Sequence, residues 1–268
     1  MEVVASHSDE NWINLAGWQV LCLEETGSTN QDAMELSYQK PGEFVVWARH
    51  QTAGKGREDR QWYSHQDCSL TFSVVLRPDD EERQFLSRFT ALGALALADL
   101  LKEACGLEAE IKWPNDVLIS GKKLSGILTE TTWSGAAIDA LIMGVGVNLR
   151  DEAFEETASQ LRFPATSLQA EGCRIDSSQE FLEKLLDFVC KRREQIGSTR
   201  LIDEWNERLA FKGEFRLIKQ YQGKTEMLCP VSINPDGSLN VRDQSGHTRV
   251  IQSAEFSASR SASEPSSS

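Results

Sequence analysis

The chain has 268 residues, of which 40% are hydrophobic, and a formal charge of −13. That hydrophobic share supports a folded core and excludes wholesale disorder, and no run approaches the ~18 uninterrupted apolar residues of a membrane span. The acidic balance argues against a surface that grips a nucleic-acid backbone, so neither nucleic acid nor membrane is an expected partner.

The opening residues, MEVVASHSDENW, carry no basic head and no apolar stretch. No signal peptide is read there, and the cytoplasm is the expected location. A strand is predicted over residues 18–24, followed by TGSTN, in which Ser28 or Thr29 can cap a helix. Residues 43–48 form a short apolar strand, and residues 50–60 a polar, basic loop with two glycines. Residues 69–76 alternate as a strand should. Residues 79–82 read as a solvated acidic turn. Residues 87–105 are apolar nearly all round, which predicts a buried helix stopped by Gly106.

Strands are then predicted over residues 108–113, 117–120, 124–131 and 137–147, with a hairpin turn at Gly121-Lys122. Ser177 to Glu180 form a capping box that opens one helix, and Ser198 caps another. From residue 211 the pattern changes to short strands and turns, as in a small β-barrel of roughly 45–50 residues. A barrel so small is expected to lean on the first domain. The division is 1–210, 211–256, and a low-complexity, disordered tail over 257–268. Strands in runs with helices between them argue an α+β fold with a mixed, largely antiparallel sheet.

The six cysteines are scattered without a CxxC pair, which predicts reduced, mostly buried thiols. The four dispersed histidines imply no metal site. Basic residues gather at Lys55, Arg57 and Arg60, and again at Lys112, Lys122 and Lys123. On an acidic chain such clusters suggest a focused anion site, although a lone surface lysine is more often a mere coat.

Four segments can carry chemistry. QTAGKGREDRQW (residues 51–62) has two glycines whose N–H groups can turn toward an anion, but not the spacing of a Walker loop; it also reads as a plain basic loop. KWPND (residues 112–116) offers a lysine, an amide and a carboxylate, with Asp116 the hard oxygen ligand that Mg²⁺ prefers; an ordinary turn has the same residues. GKKLSGIL (residues 121–128) can set an ammonium beside a ligand. GVGVN (residues 144–148) removes side chains from one face, either to admit a ligand or to pack a helix.

GSTN, QTAGKGR, KWPND, KKLSGIL and GVGVN succeed one another across residues 27–148. In that order and spacing the chain resembles the biotin–protein ligase family, closely through about Trp205 and more loosely beyond. The resemblance implies a catalytic domain like those of class II aminoacyl-tRNA synthetases, with an SH3-like C-terminal barrel. It implies activation of biotin by ATP and Mg²⁺ to biotinyl-5′-AMP, then transfer to a lysine of a biotin carboxyl carrier protein domain of a biotin-dependent carboxylase. By similarity Ser28, Thr29, Asn30 and Gln51 face the ureido ring. Lys55, Gly56 and Arg57 belong to the closing loop, Trp62 to the apolar wall, and Gly126 to the biotin site. Lys123 meets the biotin carboxylate and the α-phosphate, acting with Arg57 in catalysis. Lys112, Asn115, Asp116 and Asn148 lie on the ATP and Mg²⁺ side.

The loop departs from the family pattern where Lys55 replaces an arginine and Asp59 a glycine. Some members carry an N-terminal helix-turn-helix; about 17 residues before Trp18 are too few for one, so the form without it is expected. A homodimer through exposed sheet edges is one oligomeric option and a monomer the other. The alternatives are a lipoate–protein ligase-like enzyme, which would lack the GKGR loop with KWPND, and an inactive biotin-binding protein, which Asp59 keeps open. An octanoyl transferase would need a nucleophilic cysteine in place.

Overall fold

Residues 44–51 read FVVWARHQ and residues 69–76 read SLTFSVVL. Neighbouring side chains on a strand point to opposite faces, so the consecutive apolar residues 44–48 and 74–76 demand cover on both sides. The computed structural model meets that demand with an eight-stranded sheet between helices. It describes residues 11–58, 60–135, 137–154, 161, 163–220 and 224–257. The expectations for the first ten residues, Asp59 and the tail from residue 258 lie outside the described residues.

The strands are β1 (Trp12–Leu15), β2 (Trp18–Thr26), β3 (Phe44–Gln51), β4 (Ser69–Leu76), β5 (Glu110–Lys112), β6 (Asp116–Ile119), β7 (Lys122–Ser134) and β8 (Ala137–Asn148), in the order β1-β2-β3-β4-β8-β7-β6-β5. β2 and β3 are parallel, and the other pairs are antiparallel. The parallel pair needs a crossover, which α1 (Thr29–Ser37) supplies. β1 was not expected; it joins β2 through Ala16-Gly17, both at positive φ.

Alternation sorts the side chains. Leu21, Val46, Val75 and Ile142 face α1, while Val20, Val45, Val74 and Met143 face the layer built on α2 (Arg88–Cys105). Gly106 ends α2 in the left-handed conformation, its N–H bonded to the carbonyl of Lys102. α3 (Ser178–Arg193) and α4 (Thr199–Glu207) pack on α2, each capped by the expected serine: Ser177 accepts from Glu180 N and Ser198 from Arg200 N. Arg192 of α3 ties Asp99 of α2 to Glu204 of α4. The acidic turn is not simply solvated, because Glu82 pairs with Arg193, which also holds Glu43. Hydrogen bonds to Glu82, opposed by burial, raise the Arg193 pKa further.

The C-terminal strands are β9 (Arg216–Gln220), β10 (Thr225–Ile233), β11 (Leu239–Asp243), β12 (Thr248–Ile251) and β13 (Ala254–Phe256). They form an antiparallel sheet ordered β12-β11-β10-β9-β13. Its end strands do not pair with each other among the described residues. It leans on the first sheet as expected. Trp113 Nε1 donates to the Gly237 carbonyl at 2.9 Å, Ser87 to that of Asp236 and Arg88 to that of Pro235. Ile218, Leu228 and Val241 belong to the same apolar core as α2.

The cysteine expectation fails at one pair, and of the free thiols only Cys229 is buried. Cys105, at the end of α2, and Cys173, in the approach to α3, form a disulfide with Cα atoms 5.3 Å apart, while Cys22, Cys68, Cys190 and Cys229 are free. Spacing in the sequence gave no sign of it, because the two are 68 residues apart. Closing so long a loop stabilises by about 4 kcal/mol at most on chain-entropy grounds. Cys105→Ser is therefore expected to lower unfolding stability by about 2–4 kcal/mol in urea without reductant. Against fully reduced wild type the difference should vanish.

Candidate active site

A cavity of about 290 Å³ opens where the N-terminus of α1, the end of β3, the loop after it, β5 to β8 and β13 converge. Its wall includes every predicted site residue except Asn148. Asn148 is buried behind the wall, donating to the Thr166 carbonyl, and thus holds the segment that pairs with Lys123.

Gly144 and Gly146 shape this cavity, and of the two readings offered for them helix packing holds at Gly144, which lies against Asn30 of α1. A Cβ at Gly144 would overlap Asn30 Oδ1, and one at Gly146 would overlap the Trp62 ring. The bare backbone of β8 thus admits two side chains of the site. Gly126 does the same for Lys123, whose Nζ lies 3.2 Å from where a Cβ would stand.

Residues 54–56 pair with residues 60–62 as a narrow hairpin. Trp62 N donates to Gly54 O, Lys55 bridges Gln61, and Gly56 N donates to Arg60 O at 2.7 Å. The Gly56 N–H is therefore engaged within the loop and not turned to an anion. Neither Gly54 nor Gly56 has positive φ; Glu58 does. Gly54 is needed because a side chain there would meet the Trp62 carbonyl at 2.6 Å.

One end of the cavity is neutral and hydrogen-bonding. Gln51 Oε1 accepts from Thr29 N at 2.8 Å and from Thr29 Oγ1 at 3.1 Å. Ser73 Oγ lies 2.8 Å from Thr29 Oγ1 and 2.6 Å from Asn30 Oδ1, and Asn30 Nδ2 donates to Glu130 at 2.7 Å. Ser28 stands at the N-cap position of α1 but makes no side-chain cap bond, contrary to its expected capping role. Trp62 Nε1 is a buried donor with no partner among the described residues.

The other end is charged. Asp116 Oδ2 meets Lys112 Nζ at 2.6 Å and its Oδ1 meets Lys123 Nζ at 2.7 Å. Burial alone would raise the Asp116 pKa, but the two ammonium groups outweigh it and hold the carboxyl well below the usual range. Lys112 also lies over the Phe163 ring and Lys123 over that of Trp62. Arg57 donates to Ser253 Oγ at 2.8 Å and reaches Asn115 Oδ1 at 3.4 Å. Burial lowers the Arg57 pKa, yet a guanidinium stays charged. Asn115 Nδ2 donates to the Ile127 carbonyl, locking the KWPND turn onto β7. Arg60 bridges Glu58 at 2.9 Å and Glu255 of β13 at 2.5 Å.

Both oxygens of Asp116 thus carry ammonium partners, which does not fit the expected role as a magnesium ligand. No group of three histidine, cysteine or carboxylate ligands stands together among the described residues. Five basic side chains (Lys55, Arg57, Arg60, Lys112, Lys123) face three acidic ones in the wall, so the cavity suits an anion despite the acidic chain.

Sequence reasoning missed Ser73, Glu130, Phe163, Ser253 and Glu255. Ser73 and Glu130 act from behind Asn30, and the others arrive from segments that only the fold brings back. No local pattern marks them.

The biotin/lipoate A/B protein ligase family model matches residues 22–148. The biotin–[acetyl-CoA-carboxylase] ligase of Paracoccus denitrificans is 33% identical over 238 residues, covering 87% of this chain and 98% of that protein. The bifunctional ligase/repressor BirA of Bacillus subtilis is 36% identical over 182 residues, or 67% of this chain and 55% of its own length. A biotin protein ligase of Aquifex aeolicus, solved in complex with biotin and ATP, superimposes with a TM-score of 0.74 at 25% identity, over 90% of this chain and 99% of that one. Fold and site define a protein ligase of the biotin/lipoate class. Within it, this chain belongs to the biotin–protein ligase family.

Gly144→Ala must push Asn30 off β8, and is expected to cost about 1–3 kcal/mol of stability in denaturant unfolding. Asp116 ionises more readily folded than unfolded. Its contribution to stability is therefore present above about pH 4 and lost as the pH falls below that. The stability gap between wild type and Asp116→Asn, measured by urea midpoints, should be widest near pH 7 and narrow progressively below about pH 4.

Proposed function

We propose that this chain joins biotin to ATP, forming biotinyl-5′-AMP and pyrophosphate, and then transfers biotin to a lysine of a biotin carboxyl carrier domain. The observation that carries this is the two-ended cavity. Thr29, Asn30 and Gln51 offer hydrogen bonds to a neutral polar ring, and Lys112, Lys123 and Arg57 offer charge to an anion. Biotin has those two ends, a cyclic urea and a carboxylate.

The chemistry follows from charge. A carboxylate is a poor electrophile. Its oxygen attacks the α-phosphorus of ATP, the bond to pyrophosphate breaks, and a mixed anhydride with AMP results. Both reactants are anionic, so the site must supply positive charge fixed in advance. Lys123 and Arg57 supply it here, and Asp116 holds Lys123 and Lys112 in place until substrate arrives. The anhydride hydrolyses if water enters. Residues 54–58 and 60–62, tied to the C-terminal sheet through Arg57–Ser253 and Arg60–Glu255, form a cover against solvent. A carrier lysine then attacks the acyl carbon as its amine, the bond to AMP breaks, and the nitrogen loses its proton. No enzyme nucleophile is required.

Magnesium, which the resemblance implies, accompanies ATP on phosphate oxygens in this reading; every carboxylate in the described cavity wall has a cationic partner. No helix of the described residues is long and apolar enough to cross a membrane. The cytoplasmic location remains part of the proposal.

Labelled biotin, incubated with a purified carrier domain, should be transferred only with ATP and Mg²⁺, and labelled lipoate should not. Transfer of lipoate instead would favour the lipoate ligase alternative, and biotin bound without transfer the inactive one. Lys123→Ala is expected to slow pyrophosphate release by about 100-fold or more; unchanged release would remove Lys123 from its role.

A further inference from the structure

We propose that Glu130 is a positioning residue of the ligand site: it fixes which end of the Asn30 amide is offered to the ring. The inference rests on the biotin reading above. The two ends of an asparagine amide are nearly equal in shape, so their partners decide the orientation. Glu130 lies on β7, and its Oε2 accepts from Asn30 Nδ2 at 2.7 Å. The Leu128 carbonyl accepts from the same nitrogen at 3.4 Å. A carboxylate and a carbonyl can only accept, so both draw the NH₂ end toward β7 and take its two hydrogens.

The oxygen end is left differently. Asn30 Oδ1 lies against Gly144 in the cavity wall. Ser73 Oγ, 2.6 Å away, serves one of its lone pairs, and the second is open. Asn30 can therefore serve a ligand only as an acceptor. Gln51 is the converse. Its oxygen is occupied by the N–H and hydroxyl of Thr29, so its NH₂ group is the end left for a ligand. One wall thus presents an acceptor and a donor, the complement of the N–H and C=O of a cyclic urea. Were Asn30 reversed, its NH₂ would oppose a ring N–H, and two donors would be left facing each other. Glu130 holds off that state, which makes it a determinant of selectivity as well as affinity.

The 2.7 Å charge-assisted bond is the stronger of the two anchors, since the Leu128 contact is long. The test compares wild type, Glu130→Leu and Glu130→Gln in steady-state carrier biotinylation. The substrates are biotin and an analogue with oxygen in place of both ring N–H groups. Glu130→Leu is expected to raise the KM for biotin about 10-fold or more, with kcat and the KM for ATP within about 2-fold of wild type. Its preference for biotin over the analogue should shrink. Glu130→Gln keeps an acceptor but loses the charge, and should fall between, at about 3-fold. Where the leucine variant fails to fold by circular dichroism, the glutamine variant carries the test through direct calorimetric titration with biotin. An unchanged KM and unchanged preference, or a loss confined to kcat, overturns the proposal. Wild type without any biotin-dependent turnover overturns the underlying reading instead, and the two failures are told apart by that control.

Discussion

Lys112, Asp116 and Lys123 lie on three adjacent strands, and the pairing of their charges governs what the cavity can hold. Lys112 is opposite Asp116 in the β5–β6 ladder, and Asp116 is opposite Gly126 in the β6–β7 ladder. Lys123 reaches back across Gly126 to the second carboxylate oxygen. Two ammonium groups in a partly dry site would repel each other. One buried carboxylate between them offsets that repulsion. The group keeps one net positive charge, ready for an anion, and removing the carboxylate would leave buried cations uncompensated.

The rest of the fold serves this arrangement by exclusion. β8 runs through the middle of the sheet and surrenders two side chains, at Gly144 and Gly146, so that Asn30 from α1 and Trp62 from the hairpin can lie on it. The neutral and charged ends of the cavity are thereby set on one rigid floor. The C-terminal sheet contributes the far wall, because β13 returns beside β9, with Ser253 just before it and Glu255 within it bonded to the hairpin and Phe256 lining the cavity. An appended sheet thus becomes part of the site without sharing a strand with the first one.

Much of this could be read from the sequence where a local rule applied. Alternation gave β4 to the residue, Gly106 gave the end of α2, and the capping serines gave α3 and α4. The site segments were legible as a series, although each alone had an ordinary reading. What escaped was non-local. β1 and β13 are too short to show a period, and become strands only because a neighbour offers hydrogen bonds. The disulfide joins residues with nothing between them to mark it. The neighbours of Gly54, Gly144 and Gly146 could not be named, since a glycine announces that something comes close but not what. Asp116 looked like a metal ligand because its two lysine partners could be placed only by strand register.

The central claim is that the two ends of one cavity hold biotin and ATP so that an acyl-adenylate forms. The most direct measurement is a single turnover without carrier protein: enzyme in excess of biotin, ATP added, and the products separated and weighed by mass spectrometry. The account predicts enzyme-bound biotinyl-5′-AMP and pyrophosphate in equal amounts, one for each biotin consumed. Bound biotin with ADP and phosphate, or with no cleavage of ATP, would contradict it.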